Sequence, residues 1–195
     1  VESLKEMGNN SRGVCVVDSN VTDKELERLH TAGVRGIRFN LSFLVGVTPE
    51  MMLPLSQRIA PLGWNIQING AGDKNLAFID VFKKMPSKIV FDHLGQPPQP
   101  NGINHPSFKM YADLLNAGNT WIKLTGAYIS SKQNDFSDTN LVAKKYIEIA
   151  PERLIWGTDW PHPTKKANEK PDDAKIMDQI AIWTSSTAIQ ERILV

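Results

Sequence analysis

The stretch Leu154 to Pro163, LIWGTDWPHP, decides how the rest of the chain is read. Leu154, Ile155 and Trp156 predict a short buried strand, and Gly157 and Thr158 then turn the backbone out of the core. There the chain delivers a carboxylate, Asp159, beside the indole of Trp160 and the imidazole of His162, which stands between Pro161 and Pro163. A carboxylate at the end of an apolar strand is costly to desolvate unless it has a task or a partner. A helix-capping Asp in a tight turn is the plain alternative. Against it, prolines on both sides of His162 restrict the loop, and a second stretch of the same design, IVFDHLGQP, runs from Ile89 to Pro97.

Outward from these two stretches, apolar runs alternate with helical patterns. Gly13–Val17, Arg35–Phe39, Trp64–Ile68, Lys88–Asp92, Trp121–Leu124 and Leu154–Trp156 predict six strands whose starts lie roughly 22 to 33 residues apart. Thr22 and Glu25 form a capping box for a helix that stops at Gly33. Thr48 and Pro49 open a second helix that closes near Gly63, with a kink expected at Pro54. Further helices are expected over Asn75–Lys84, from about Pro106 to Asn116, from Asp138 to before Pro151, and after Pro171.

Repeated βα units predict an α/β fold with a parallel sheet. No repeat or low-complexity linker divides the sequence, so residues 1–195 are expected to form a single domain. An open doubly wound sheet would advertise a glycine-rich phosphate turn, and neither G-x-G-x-x-G nor a P-loop occurs. Polar residues instead mark nearly every strand end: Asp18, Arg38 with Asn40, Asn69, Asp92 with His93, Tyr128, and Asp159 with His162. That is the habit of a (β/α)8 TIM barrel at its C-terminal face, although a barrel needs eight strands.

Twenty-two basic and 21 acidic side chains give a net charge of +1 with no basic cluster, which argues against a nucleic-acid partner. The apolar runs are far shorter than the roughly 20 residues that cross a bilayer. Val1 to Met7 carries Glu2, Lys5 and Glu6 and no signal-peptide core, so a cytoplasmic location and no membrane association are expected. Cys15 is the sole cysteine and reads as a small buried hydrophobe of a reduced compartment. His30 and His105 read as exposed. Lys123 is expected to point away from a barrel interior and to take no part in catalysis.

Four motifs carry a resemblance: RGIRFN at Arg35 to Asn40, FDHLGQP at Phe91 to Pro97, IKLTGAY at Ile122 to Tyr128 and IWGTDWPHP at Ile155 to Pro163. In this order and spacing they resemble barrel hydrolases of the amidohydrolase superfamily, amidohydrolase-2 type, in the branch of the 2-pyrone-4,6-dicarboxylate hydrolases and sugar lactonases. That family bears H-x-H on its first strand and a segment resembling N-P-x-x-L-F-G at its end, and neither is present. The sequence therefore resembles about strands 3 to 8 of such a barrel, truncated at both ends.

The resemblance implies roles residue by residue. Asp159 matches the aspartate that takes a proton from the attacking water, a task for a carboxylate at the rim of an apolar barrel. His93 matches the histidine that polarises the scissile carbonyl or ligates a metal; a histidine satisfied by backbone is its alternative. Arg38 matches an arginine that grips a substrate carboxylate, where a surface ion pair is the alternative. Tyr128, Trp160 and His162 would line the same mouth. Trp160 would either stack on a lactone ring or simply pack. Asn69 stands where the dicarboxylate enzymes have a tyrosine and Ile129 where they have a second arginine. A pyrone dicarboxylate is thereby disfavoured, and a sugar lactone that hydrogen bonds to Asn69 is favoured.

The function implied is a hydrolase that opens the lactone of a sugar acid or related carboxylate, Asp159 activating water and His93 polarising the carbonyl. A metal-dependent decarboxylase or lactone isomerase on the same barrel, and a non-catalytic fragment or binding module, are the alternatives. No cofactor is expected. If a divalent metal such as zinc is bound, His93 and Asp159, with His162 as a weak third, are its candidate ligands; a catalytic zinc wants three protein ligands in the right geometry, and the resemblance implies that the remaining ones come from the first strand of the barrel. The expected partner is a small-molecule lactone or carboxylate, and a homo-oligomer is compatible with the sequence.

Overall fold

The computed structural model describes residues 1–42 and 47–194. The chain opens with α1 (Glu2–Met7), β1 (Gly13–Cys15), α2 (Asp23–Thr31), β2 (Val34–Asn40), α3 (Met52–Ile59) and β3 (Asn65–Asn69). It continues through α4 (Gly72–Asn75), α5 (Ile79–Lys84), β4 (Lys88–Phe91), α6 (Pro106–Asn116) and β5 (Thr120–Leu124). It ends in α7 (Ala127–Ser130), α8 (Ser137–Ile149), β6 (Leu154–Trp156), α9 (Asp173–Trp183) and α10 (Thr187–Leu194). Among the described residues the strands form a six-stranded sheet in chain order, and β1–β2, β2–β3 and β5–β6 pair parallel. The α/β class and the six expected strands are thus present, with helices between parallel strands as in part of a βα barrel. The chain clusters into two compact units, residues 1–69 with 78–90 and residues 70–77 with 91–195.

In the first unit, Ile37 and Phe39 of β2 and Ile66 and Ile68 of β3 are buried. Met52, Leu55, Ser56 and Ile59 give α3 a buried stripe at helical spacing. The one polar member of that stripe, Ser56, is satisfied by Ser87: the hydroxyls lie 2.8 Å apart and the Ser87 N–H donates to Ser56 Oγ at 3.1 Å. The α-helix begins at Met52, after a 3-10 turn over Pro49–Met51. Pro54 therefore sits in the first turn, where its missing N–H interrupts no ladder bond, and the expected kink has no cause.

Three further expectations differ here. Thr22 caps α2 by accepting from the Glu25 N–H at 3.1 Å, but the Glu25 carboxylate turns to Arg28 at 2.7 Å instead of closing the capping box. Cys15 is half-buried, its thiol pushed up by burial, and Val14 and Val16 beside it are exposed. His30 is not exposed: its Nδ1 accepts from the Trp64 indole N–H at 2.9 Å, and the two rings stack.

In the second unit, Thr120, Ile122 and Leu124 alternate with half-buried residues along β5. Tyr111 and Leu115 of α6, Val142, Ala143 and Tyr146 of α8, and Ile176, Ile180 and Trp183 of α9 are buried. Several buried polar ends find partners. The Tyr111 hydroxyl donates to Gly95 O at 2.7 Å and accepts from Asn75 Nδ2 at 2.7 Å, and Trp183 Nε1 donates to Asn140 Oδ1 at 2.8 Å. His105, expected to be exposed, is half-buried and caps α6 by accepting from the Ser107 N–H at 3.2 Å. The strand β6 is less buried than its apolar sequence suggests: Leu154 is covered, Trp156 half-covered and Ile155 exposed. Among the described residues, no helix is long and apolar enough to cross a membrane.

Candidate active site

The second unit brings His93, Tyr128, Asp159 and His162 together. His93 follows β4 in the left-handed region, φ 54°, and its ring is buried. Its Nδ1 lies 3.1 Å from Thr125 Oγ1, just beyond β5. With Thr125 donating, Nε2 carries the ring hydrogen, and that nitrogen stands 3.9 Å from Asp159 Oδ1. Gly126 makes room for the ring, because a methyl group there would sit 2.5 Å from His93 Nδ1.

Asp159 leaves β6 through Gly157 and Thr158 at φ 66°, with its side chain 19% exposed. Its Oδ2 accepts from the Tyr128 hydroxyl at 2.6 Å, a short charge-assisted bond. Tyr128 lies on α7, and its phenol is pushed well above its ordinary range, first by burial and then by the Asp159 carboxylate, which the neutral form serves as a donor. His162, also left-handed at φ 56°, is buried; its Nδ1 lies 3.3 Å from the Tyr128 oxygen and its Nε2 2.9 Å from Asp173 Oδ1. The buried His162 ring meets the Tyr128 ring edge-on, with centroids 5.5 Å apart, whereas Trp160 is 75% exposed.

Beside His93, the buried Asp92 carboxylate meets Lys123 Nζ at 2.9 Å. Lys123 thus holds a neighbour of His93 in place, a link 31 residues long in sequence that no local pattern reveals. In the first unit, register pairs Arg38 with Gln67 and Asn40 with Asn69. These four side chains therefore share one face of β2 and β3, opposite Ile37, Phe39, Ile66 and Ile68. Asn69 Nδ2 donates to Asn40 Oδ1 at 3.3 Å, and Arg38 is half-buried. Sequence reasoning missed Gln67, Thr125, Gly126 and Asp173; for Gln67 alone, the polar interruption of the run Ile66 to Ile68 was a usable signal.

His93 and Asp159 could each offer a donor to a metal, but among the described residues no three His, Cys, Asp or Glu side chains gather around one point. The described donors alone therefore do not fit a catalytic zinc site.

Residues 2–195 match the amidohydrolase family. The chain belongs to the amidohydrolase family. It is 34% identical over its whole length to a 2-pyrone-4,6-dicarboxylate hydrolase of Comamonas testosteroni, covering 68% of that protein. It is 30% identical, over 98% of its length, to a D-galactarolactone isomerase of Agrobacterium fabrum, covering 66% of it. An apo crystal structure from Agrobacterium tumefaciens superposes with a TM-score of 0.89 at 28% identity, over 98% of this chain and 68% of that one. This amidohydrolase chain thus spans about two thirds of the length of the relatives it matches.

Proposed function

We propose that this amidohydrolase opens a lactone by hydrolysis, with Asp159 as the base and His93 as the electrophile. The observation that carries the reading is the 3.9 Å separation of His93 Nε2 and Asp159 Oδ1, each held from behind, by Thr125 and by Tyr128. The separation is too long for a direct hydrogen bond, and the two atoms face each other with opposite chemistry, a donor and an acceptor. Asp159 Oδ1 takes a proton from water as the water oxygen bonds to the lactone carbonyl carbon. The Nε2–H of His93 donates to the carbonyl oxygen as negative charge collects there. The ring C–O bond then breaks, the departing oxygen takes up the proton from Asp159, and a hydroxy acid results.

For Arg38 and Asn69 we propose substrate-holding roles, a guanidinium for a carboxylate and an amide for hydroxyls. Both relatives named above act on cyclic esters, which supports the substrate class. Asn69 and Ile129 favour a sugar lactone over a dicarboxylate. The sheet is proposed to be strands 3 to 8 of a (β/α)8 barrel.

Hydrolysis releases about one proton per lactone at neutral pH, because the product carboxylic acid ionises. Isomerisation, the activity of one relative, releases none. A pH indicator therefore separates the two readings. Asp159→Asn is expected to lower kcat by about 10²- to 10⁴-fold with an unchanged melting temperature. A near-normal rate in that variant would sink the mechanism.

A further inference from the structure

Beside Tyr128 the second unit holds a cavity of about 330 Å³, near the lower end of the range that small-molecule sites fill. Its walls carry the half-buried Lys165, the exposed Glu169, the amide of Gln133, and the rings of Tyr128 and Phe136. Among the described residues, no ion pair joins Lys165 to Glu169. An ammonium that only donates and a carboxylate that only accepts thus line one space without meeting. A ligand that serves both must accept from the first and donate to the second. Hydroxyl groups do both, whereas a carboxylate would meet like charge at Glu169 and an ammonium would meet it at Lys165. The Gln133 amide also offers a donor and an acceptor, and the two rings supply apolar faces for the C–H groups between the hydroxyls of a sugar chain.

We propose that this cavity is a subsite for the hydroxylated chain that a sugar lactone carries outside its ring, with Lys165 and Glu169 as specificity-determining residues. The proposal rests on the reading of the protein as a lactone hydrolase with Asp159 as the base. Tyr128 ties the subsite to the reacting centre: its hydroxyl donates to Asp159 Oδ2 at 2.6 Å and is also hydrogen-bonded to Thr164, while its ring lines the cavity. A lactone held at Asp159 is therefore one phenol ring away from the subsite. The walls are set before any ligand enters. Asp138, in the first turn of α8, accepts from the Ser131 hydroxyl at 2.5 Å and from the Lys132 N–H at 2.7 Å, which pins the loop that carries Gln133. In the loop after β6, the Lys165 N–H donates to His162 O at 3.0 Å and the Glu169 N–H to Lys166 O at 2.9 Å. The Lys165 ammonium lies 5.6 Å from the centre of the Tyr128 ring. Walls held this way leave little to be ordered on binding.

The test uses the full-length protein and three γ-lactones in the pH-indicator assay. The first, from a six-carbon sugar acid, carries a dihydroxyethyl chain on its ring; the second, from a four-carbon sugar acid, has the same ring hydroxyls and no chain. Lys132 also lines the cavity and makes it net positive, so the third lactone replaces the dihydroxyethyl chain with a carboxymethyl group. The wild type is expected to favour the first over the second by about tenfold or more in kcat/KM. Lys165→Met keeps an apolar stem beside Tyr128, and Glu169→Ala trims an exposed side chain; each is expected to lower that preference about tenfold, through KM. A loss that is equal on the first two lactones means that Lys165 acts on Tyr128 and not on the sugar chain, and overturns the proposal. So does a wild type that favours the third lactone over the first. Calorimetry with an anhydro sugar alcohol, which has the ring and chain of the first lactone but no carbonyl, reads binding without turnover; its Kd is expected to rise about tenfold in Lys165→Met. Binding of this analogue that depends on Lys165 and Glu169, in a protein that opens no lactone, supports the subsite and removes the hydrolase reading alone. Turnover without the chain preference keeps the hydrolase and removes the subsite.

Discussion

Gly126→Ala tests whether the placement of the His93 ring governs the rate. The new methyl would lie 2.5 Å from His93 Nδ1 and 2.9 Å from Ile129 Cδ1, where ordinary contact begins near 3.5 Å. Relief of the worst contact moves the ring by about 1 Å, the difference between those two separations, and takes Nδ1 away from Thr125. A misplacement of that size lowers kcat by about 10²-fold. Separately, an alanine at φ 58° costs about 1–2 kcal/mol, which in a chain of this size lowers the melting temperature by a few degrees. Gly63→Ala isolates the second effect: its φ is 70°, yet nothing lies within 4 Å of the added methyl. Both variants should melt lower, as followed by circular dichroism, Gly126→Ala by more because its methyl also overpacks the site, and only Gly126→Ala should lose turnover in the pH-indicator assay. A Gly126→Ala enzyme within twofold of the wild-type kcat refutes the reasoning.

Two other outcomes are expected. Lys123→Met deprives the buried Asp92 carboxylate of an ion pair at 2.9 Å and should destabilise the fold by about 3 kcal/mol, seen as a lower urea midpoint with unchanged slope. Burial holds the phenols of Tyr111 and Tyr128 above their ordinary range. A group whose folded-state pKa is raised contributes stability that is full below its unfolded value, about 10 for tyrosine, and that is lost as pH rises through the folded one. Urea midpoints should therefore fall between pH 9 and pH 11, and by less in Tyr111→Phe than in the wild type, when each is compared with its own midpoint at pH 9.

Much of the fold was legible because strands and helices announce themselves locally. The run Ile66 to Ile68 and the spacing Met52, Leu55, Ile59 need no distant partner to be read. At the candidate site, Asp159 and His93 stood out because each ends an apolar run. The residues that support them did not, since their significance lies in contacts across tens of residues. Thr125 acquires a role only where β5 lies beside His93, 32 positions away, and Asp173 only where α9 meets His162. His30 was misread for the same reason: half-buried, it holds Trp64 from 34 residues away.

The loop after β6 is bent around its side chains. Asp159 and His162 both occupy a backbone region that L-residues other than asparagine and aspartate seldom tolerate. The chemistry of residue 159 can therefore be silenced cleanly only by asparagine, which keeps the local geometry cheap. Alanine would confound lost chemistry with a reshaped loop, and glycine would relax the bend and free the segment to wander. At this corner of the protein, the conformational tolerance of a replacement matters as much as its functional group.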